Sequence, residues 1–202
     1  MTDSATLDVS HLPTYAFGRR DPRWAAVILL MAIEGSVFGL MLFTYFYVRT
    51  RLEVWPPTSP GTRELLFGGA IALVLLASVV PAHLVNRAVY SADLARAKRW
   101  LTLCTCLSLL ALLLRGLELS HLPFRWDSNV YGSVFWGVLC LHTMHLIAGN
   151  VENMLFLVLL RRGPIEKKHL VDLEVNSIYW YFVVLSWVPL YLVLYLDGVI
   201  GW

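Results

Sequence analysis

Five long apolar runs set the limits on what this chain can fold into. They cover roughly residues 25–48, 65–85, 100–119, 133–160 and 178–200. A helix needs about 20 mostly apolar residues to cross a bilayer, and each run meets that length. Composition agrees. The 202 residues are 58% hydrophobic and 15% charged, with a mean hydropathy of +0.65, whereas a soluble domain carries about a quarter charged residues. The expected fold is therefore all-α: a polytopic membrane protein with a single five-helix transmembrane domain over 24–202, after a polar tail over 1–23. No repeat at a solenoid period is visible. The polar start, with no charged segment leading into a short apolar core, is not the pattern of a cleaved signal peptide.

Cationic residues predict the orientation. Arg19, Arg20 and Arg23, then Arg87, Arg96, Lys98 and Arg99, then Arg161, Arg162, Lys167 and Lys168 fall on one side of a five-helix bundle. Arg49, Arg51, Arg63 and Arg125 fall on the other. The richer side is expected to be cytoplasmic, which puts the N-terminus inside and the C-terminus outside. Trp24, Trp55, Trp100, Trp126 and Trp202 stand at the expected membrane interfaces. The basic residues Arg96, Arg99, Arg161 and Arg162 are candidates for holding lipid headgroups. A net charge of +2 and the absence of a basic stripe argue against nucleic acid as a partner.

Polar residues inside the runs are the candidate functional groups. Glu34 lies about ten residues into the first run, some 15 Å deep at ~1.5 Å per residue. A carboxylate there must be protonated or partnered. It serves either as a packing group hydrogen-bonded to a neighbouring helix or in a functional or lipid-contacting role. In the fourth run, His142, His145, Gly149, Glu152 and Asn153 fall within an arc of about 100° on a helical wheel. This polar stripe is expected to face protein, with Gly149 admitting a neighbouring helix and one histidine within reach of Glu34. Arg115 and Glu118, three apart, are positioned to pair on one helix face.

The metal and haem readings are weaker. His142-x-x-His145 puts two imidazoles on one face, but a di-iron bundle draws glutamates and histidines from more than one helix. A b-type haem takes a histidine from each side, and His83 and His121 stand near opposite ends of their runs. Cys104, Cys106 and Cys140 fit neither a disulfide framework nor a zinc ladder and read as small buried thiols. Pro189 is expected to kink the fifth span. It reads as the one mid-helix proline of the chain, and its isolation, with no inverted repeat, weighs against a proton-coupled transporter built on Glu34.

Four segments resemble subunit III of the haem–copper respiratory oxidases of the cytochrome c oxidase type. IEGSVFGLMLFTYFYVRTRLEVWPP is similar to that family's helix with an intramembrane glutamate, here Glu34, followed by Trp55, Pro56 and Pro57. ARAKRWLTLCTCLSLLALLLRGLELS resembles its basic loop and next helix, with Glu118 matching the family's acid and Arg115 standing where a glutamine is usual. NVYGSVFWGVLCLHTMHLIAGN resembles its paired-histidine segment at His142, His145 and Gly149, with Leu139 and Cys140 replacing the usual Thr-Gly. IYWYFVVLSWVPLYLVLY matches at Tyr179, Trp180, Phe182, Val183 and Trp187, whereas Tyr181 and Val184 replace a histidine and an aspartate.

The resemblance implies a subunit with no redox centre of its own, the short bacterial form with five helices. It would be multi-pass in the bacterial cell membrane and non-catalytic by itself, within a proton-translocating oxidase. Haem and copper would reside in partner subunits. Partners would be subunit I, other oxidase subunits and phospholipids, the lipid lying in a cleft between helices one and two and the other three. Stabilisation of subunit I and support of proton uptake would be its roles. Membership of a quinol oxidase or nitric oxide reductase complex is the nearest alternative. A stand-alone membrane haem protein and a transporter are the alternatives of a different class.

Overall fold

The computed structural model describes residues 21–57, 61–91, 93–162 and 168–197. Among them are five helices long and apolar enough to cross a membrane: α1 (Pro22–Arg49), α2 (Thr62–Tyr90), α3 (Leu94–His121), α4 (Val130–Arg162) and α5 (Lys168–Tyr191). The last runs on into a π-helical turn, Leu192–Leu196. The helices begin where the local chemistry allows. Asp21 accepts a hydrogen bond from the Arg23 amide ahead of Pro22, and Asp93 accepts one from the Arg96 amide. Asn129 accepts from Gly132 N at 2.7 Å. Each side chain satisfies an amide that the first helical turn leaves unpaired, and Pro22 sits where no amide is needed.

Helices α1 to α4 extend past both ends of the apolar windows that the sequence marks, and α5 begins well before its window. A 28-residue helix such as α1 is about 40 Å long at 1.5 Å per residue, against a hydrocarbon core of about 30 Å. Hydropathy reports only the part in lipid, while backbone hydrogen bonding carries each helix through its polar ends. The largest difference is in α5, which starts at Lys168 and not near 178. Its first turns hold Asp172, Glu174 and Asn176, too polar for a spanning window but able to continue a helix. The expected orientation cations Arg19, Arg20 and Lys167 lie outside the described residues, as do the stretch after 197 and Trp202.

Three further expectations change. Pro81 lies inside α2, so Pro189 is not the lone mid-helix proline. Helix α5 continues through Pro189, and its π-helical turn begins three residues later. Cys104 is buried, but Cys106 and Cys140 are exposed, because they lie on outward faces where an apolar environment is supplied by lipid and not by protein. The two-plus-three division of the bundle is also absent. Helix α2 packs along α3 and against α5, whereas α1 packs on α4 and α5. Helix α5 is therefore central, and α1 is the outlying helix, burying only Phe38 and Tyr45.

Packing explains the arrangement. Lipid tails are as apolar as leucine, so helices associate in a bilayer by close fit more than by exclusion of water. Two glycines set the approach of α5. A β-carbon at Gly149 on α4 would stand 2.9 Å from the ring of Trp180, and one at Gly68 on α2 would stand 3.0 Å from Tyr191. Trp180 and Trp187 are both fully enclosed, and Trp180 Nε1 donates to Ser78 Oγ on α2 at 2.9 Å. Toward the end where α5 finishes, Tyr45, Trp55, Phe124, Tyr131, Phe135 and Tyr195 form a continuous aromatic core.

Because Trp180 has no free space to move into, Gly149→Ala is expected to destabilise the bundle by about 1–3 kcal/mol through overpacking. The loss would be read as a lower thermal unfolding midpoint in detergent, with Gly116→Ala as a control where an added β-carbon meets nothing within 4 Å.

Candidate functional site

The polar stripe of α4 is divided between α1 and α5. His145 turns toward α1, where its Nε2 lies 3.5 Å from Glu34 Oε2. Its Nδ1 is 2.7 Å from the Leu141 carbonyl. A carbonyl only accepts, so Nδ1 carries a proton, and the Glu34–His145 contact is made across Nε2. The other Glu34 oxygen accepts from the Tyr179 hydroxyl of α5 at 3.3 Å. Glu34 thus joins α1, α4 and α5, one of several polar links of an otherwise loosely enclosed helix.

His142 does not face Glu34. It is fully buried, its Nε2 donates to the Val183 carbonyl at 3.1 Å, and its ring lies 4.7 Å from that of Trp187. Asn153 accepts from Asn176 Nδ2 at 2.8 Å. Glu152 departs from the expected inward stripe: it is exposed, at the edge of the arc where α4 turns away from α5. It lines an open groove of about 670 Å³ between α1, α4 and α5, together with Arg23, Arg162, Asn176 and Tyr179. Val27, Leu30, Leu155 and Phe156 supply its apolar floor. This groove, and not a cleft between α1–α2 and the rest, is the interhelical opening beside the seam.

A second polar centre is sealed. Arg115 and Glu118 of α3 are both fully buried and in contact through Nη1 and Oε2. Glu118 Oε1 accepts from the Tyr195 hydroxyl. The Arg115 guanidinium lies 3.9 Å from the centre of the Trp187 ring, a cation–π contact that is strong where water is excluded. Arg115 Nε and Nη2 have no hydrogen-bond partner among the described residues.

Several groups escaped the sequence reading. Asn150 accepts from Ser108 Oγ on α3 at 2.6 Å. It stands in the quoted paired-histidine segment but outside the arc that marked the stripe. Asn176 lay before the expected start of the fifth span. Asp197, nearly enclosed, accepts from Arg49 at 2.6 Å and from the Tyr45 hydroxyl and Trp55 Nε1, both at 3.0 Å. It pins the end of α5 to α1 and to the loop that carries Trp55 and Pro56. A lone aspartate near the end of an apolar run carries no periodic signal. Its partners are over 140 residues away, so only a search for the partners of cations such as Arg49 would have found it.

The remaining candidates occupy simpler settings. Trp187 Nε1 donates to the Gly68 carbonyl at 3.3 Å. Arg96, Arg99, Arg161 and Arg162 are exposed at the end where α3 begins and α4 ends. Among the described residues no group of three histidine, cysteine or acidic side chains comes together as a metal ion would need.

The profile of the family described as Cytochrome c oxidase subunit III matches residues 24–199. The chain belongs to that family. Cytochrome c oxidase subunit 3 of the cyanobacterium Synechocystis is 27% identical over 197 residues, covering 96% of this chain and 84% of the relative. The protein of the same name from the fungus Schizophyllum commune is 30% identical over 182 residues, 85% of this chain and 66% of the relative. That from Gadus morhua is 28% identical over 178 residues, 84% and 68%. The resemblance in the four quoted segments is therefore shown over nearly the whole chain. Membership makes this a haem–copper oxidase subunit III, part of a multi-subunit oxidase complex, and its five apolar helices make it a multi-pass membrane protein.

Removing one partner of the sealed pair leaves a buried charge uncompensated, which costs about 3–5 kcal/mol. Arg115→Met is therefore expected to abolish accumulation of the folded chain or sharply lower its unfolding midpoint. Arg115→Met with Glu118→Gln is expected to recover most of the loss, and a thermal double-mutant cycle in detergent measures both.

Proposed function

We propose that this chain is the non-catalytic subunit III of a bacterial haem–copper terminal oxidase, held in the cell membrane against catalytic subunit I and stabilising it. The observation that carries the reading is the family match across 24–199, which spans every helix. Haem and copper reside in the partner subunits. His142 and His145 serve as interhelical contacts, His142 on the Val183 carbonyl and His145 on Glu34. The end bearing Arg23, Arg96, Arg99, Arg161 and Arg162 faces the cytoplasm, in keeping with the excess of cations there.

The groove between α1, α4 and α5 takes phospholipid. Its apolar floor suits acyl chains, and Arg23 and Arg162 at its rim suit a phosphate. The seam beside it, Glu34, His145 and Tyr179, with Glu152 opening into the groove, supplies exchangeable protons next to the bilayer. That placement supports a part in proton uptake by the complex.

Gentle detergent purification through a tag on this chain tests the assignment. Haem-bearing subunits are expected to co-purify, and recovery of the chain alone or with a transporter would refute it. Glu34→Gln replaces a carboxyl group that accepts from the Tyr179 hydroxyl and lies 3.5 Å from His145 Nε2, an interaction class worth about 1.5–3 kcal/mol where the acceptor is ionised. It is expected to lower retention of the partner subunit or of bound lipid by roughly tenfold or more, with haem per recovered complex unchanged. Loss of haem would mean that Glu34 has a different task.

A further inference from the structure

Helix α1 is held unevenly along its length. Its C-terminal half is fixed. Phe38 and Tyr45 are buried there. The Tyr45 hydroxyl and Arg49 both donate to Asp197 at the end of α5. The Tyr45 ring lies 5.0 Å from that of Trp55, which lies 5.0 Å from that of Tyr131 on α4. The N-terminal half is held loosely. Among the described residues none from 22 to 37 is buried, and Ile28, Leu29, Leu30 and Ile33 are exposed. Val27 and Met31 meet the core only as partly buried residues at its edge. A β-carbon at Gly35 would make an ordinary contact, 3.6 Å from Phe182, against 2.9 Å at the tight crossing of Gly149 and Trp180.

The groove of about 670 Å³ opens along this loose half. Ala26, Val27 and Leu30 form its α1 wall, and Leu155, Phe156 and Leu159 form its α4 wall. Polar ties stand beside it. At mid-helix Glu34 meets Tyr179 at 3.3 Å and His145 at 3.5 Å, both long contacts. At the mouth Arg23 pairs with Asp172 of α5, and both side chains are partly exposed. Ion pairs in contact with solvent hold weakly. Arg23 also binds Asp21 in the cap of its own helix, so the guanidinium keeps a counter-charge when Asp172 releases it. Spanning helices tilt through tens of degrees at modest cost. From Phe38 to Arg23 the arm is about 22 Å long at ~1.5 Å per residue, and a tilt of about 10° carries Arg23 about 4 Å from its partner.

We propose that α1 works as a lever, fixed over its C-terminal half and swinging at its N-terminal half, with the Arg23–Asp172 pair as its latch, and that this swing sets how fast a lipid enters and leaves the groove. What the groove holds and how quickly it exchanges are then set by different residues. The walls decide which molecule stays, and the latch decides when the mouth opens. The lipid traffic rests on reading the groove as a lipid site, whereas the tilt of α1 does not.

The test uses the complex purified through the tagged chain and placed in lipid nanodiscs. Spin labels on unnatural side chains replace Leu29 of α1 and Met154 of α4 and, in a second sample, Phe43 and Val130 of the same two helices; all four positions are exposed. Pulsed dipolar spectroscopy is expected to give a broader distance distribution for the first pair than for the second. Asp172→Asn is expected to shift the first pair to longer distances, and Asp172→Glu, which keeps the charge, to restore the wild-type distribution. In unlabelled complexes, replacement of retained lipid by a deuterated phospholipid is followed by native mass spectrometry. Asp172→Asn is expected to speed it about two- to fivefold, the range an exposed pair can supply, with the same lipid bound at saturation. Equal widths at the two ends of α1, or distances that Asp172→Asn leaves unchanged, overturn the lever. A lower unfolding midpoint with an unchanged exchange rate overturns the latch and leaves the pair a purely structural tie. If the wild-type complex retains no lipid, the reading of the groove fails, while the distances still decide whether α1 swings.

Discussion

Inside a bilayer there is no water to satisfy a stray polar group, so a partner within the protein is strongly favoured. That preference organises this bundle. Glu34, His142, Asn150, Asn153 and Ser78 all reach across helix boundaries, most of them to α5. Apolar surface cannot choose among the possible packings of five oily helices, because lipid solvates all of them equally well. Directional contacts can. Helix α4 carries most of the donors and acceptors and touches α1, α3 and α5 through them, while α5 lies at the centre with two enclosed tryptophans.

The two polar centres differ in access, and that difference separates their roles. Arg115, Glu118 and Tyr195 are sealed beside Trp187, where an ion pair adds specificity of packing more than stability. Glu34, His145 and Tyr179 lie next to an open groove, with Glu152 exposed into it. Groups that must exchange protons or meet lipid need such an opening, and groups that only define a fold do not. The same logic applies to the arginines. Arg23 and Arg49 hold aspartates, whereas Arg87 and Arg99 of the α2–α3 hairpin are exposed.

Much of this was legible in the residues. Five spans, their order and the seam on α4 follow from hydropathy and from the angular clustering of polar positions, and the family follows from four short segments. Helix ends were not legible to the same degree. Hydropathy detects lipid, and the first turns of α5 lie beyond it, so Asp172 and Asn176 were missed although both contact other helices. The division of the bundle was misread because a helix's choice of neighbour depends on shape. Gly68 and Gly149 mark where α5 comes closest, but a glycine in sequence does not say which helix approaches it.

By itself the sequence determined that the chain crosses a membrane five times, which residues are too polar to face lipid, and to which family it belongs. These are properties of single positions and of short-range periodicity. The tertiary structure alone decided that His145 and not His142 meets Glu34, that Glu152 opens outward, and that Asp197 ties the end of α5 to the end of α1 and the loop after it. Each of these depends on the rotation and approach of helices far apart in sequence, and no local pattern encodes a distance across the bundle.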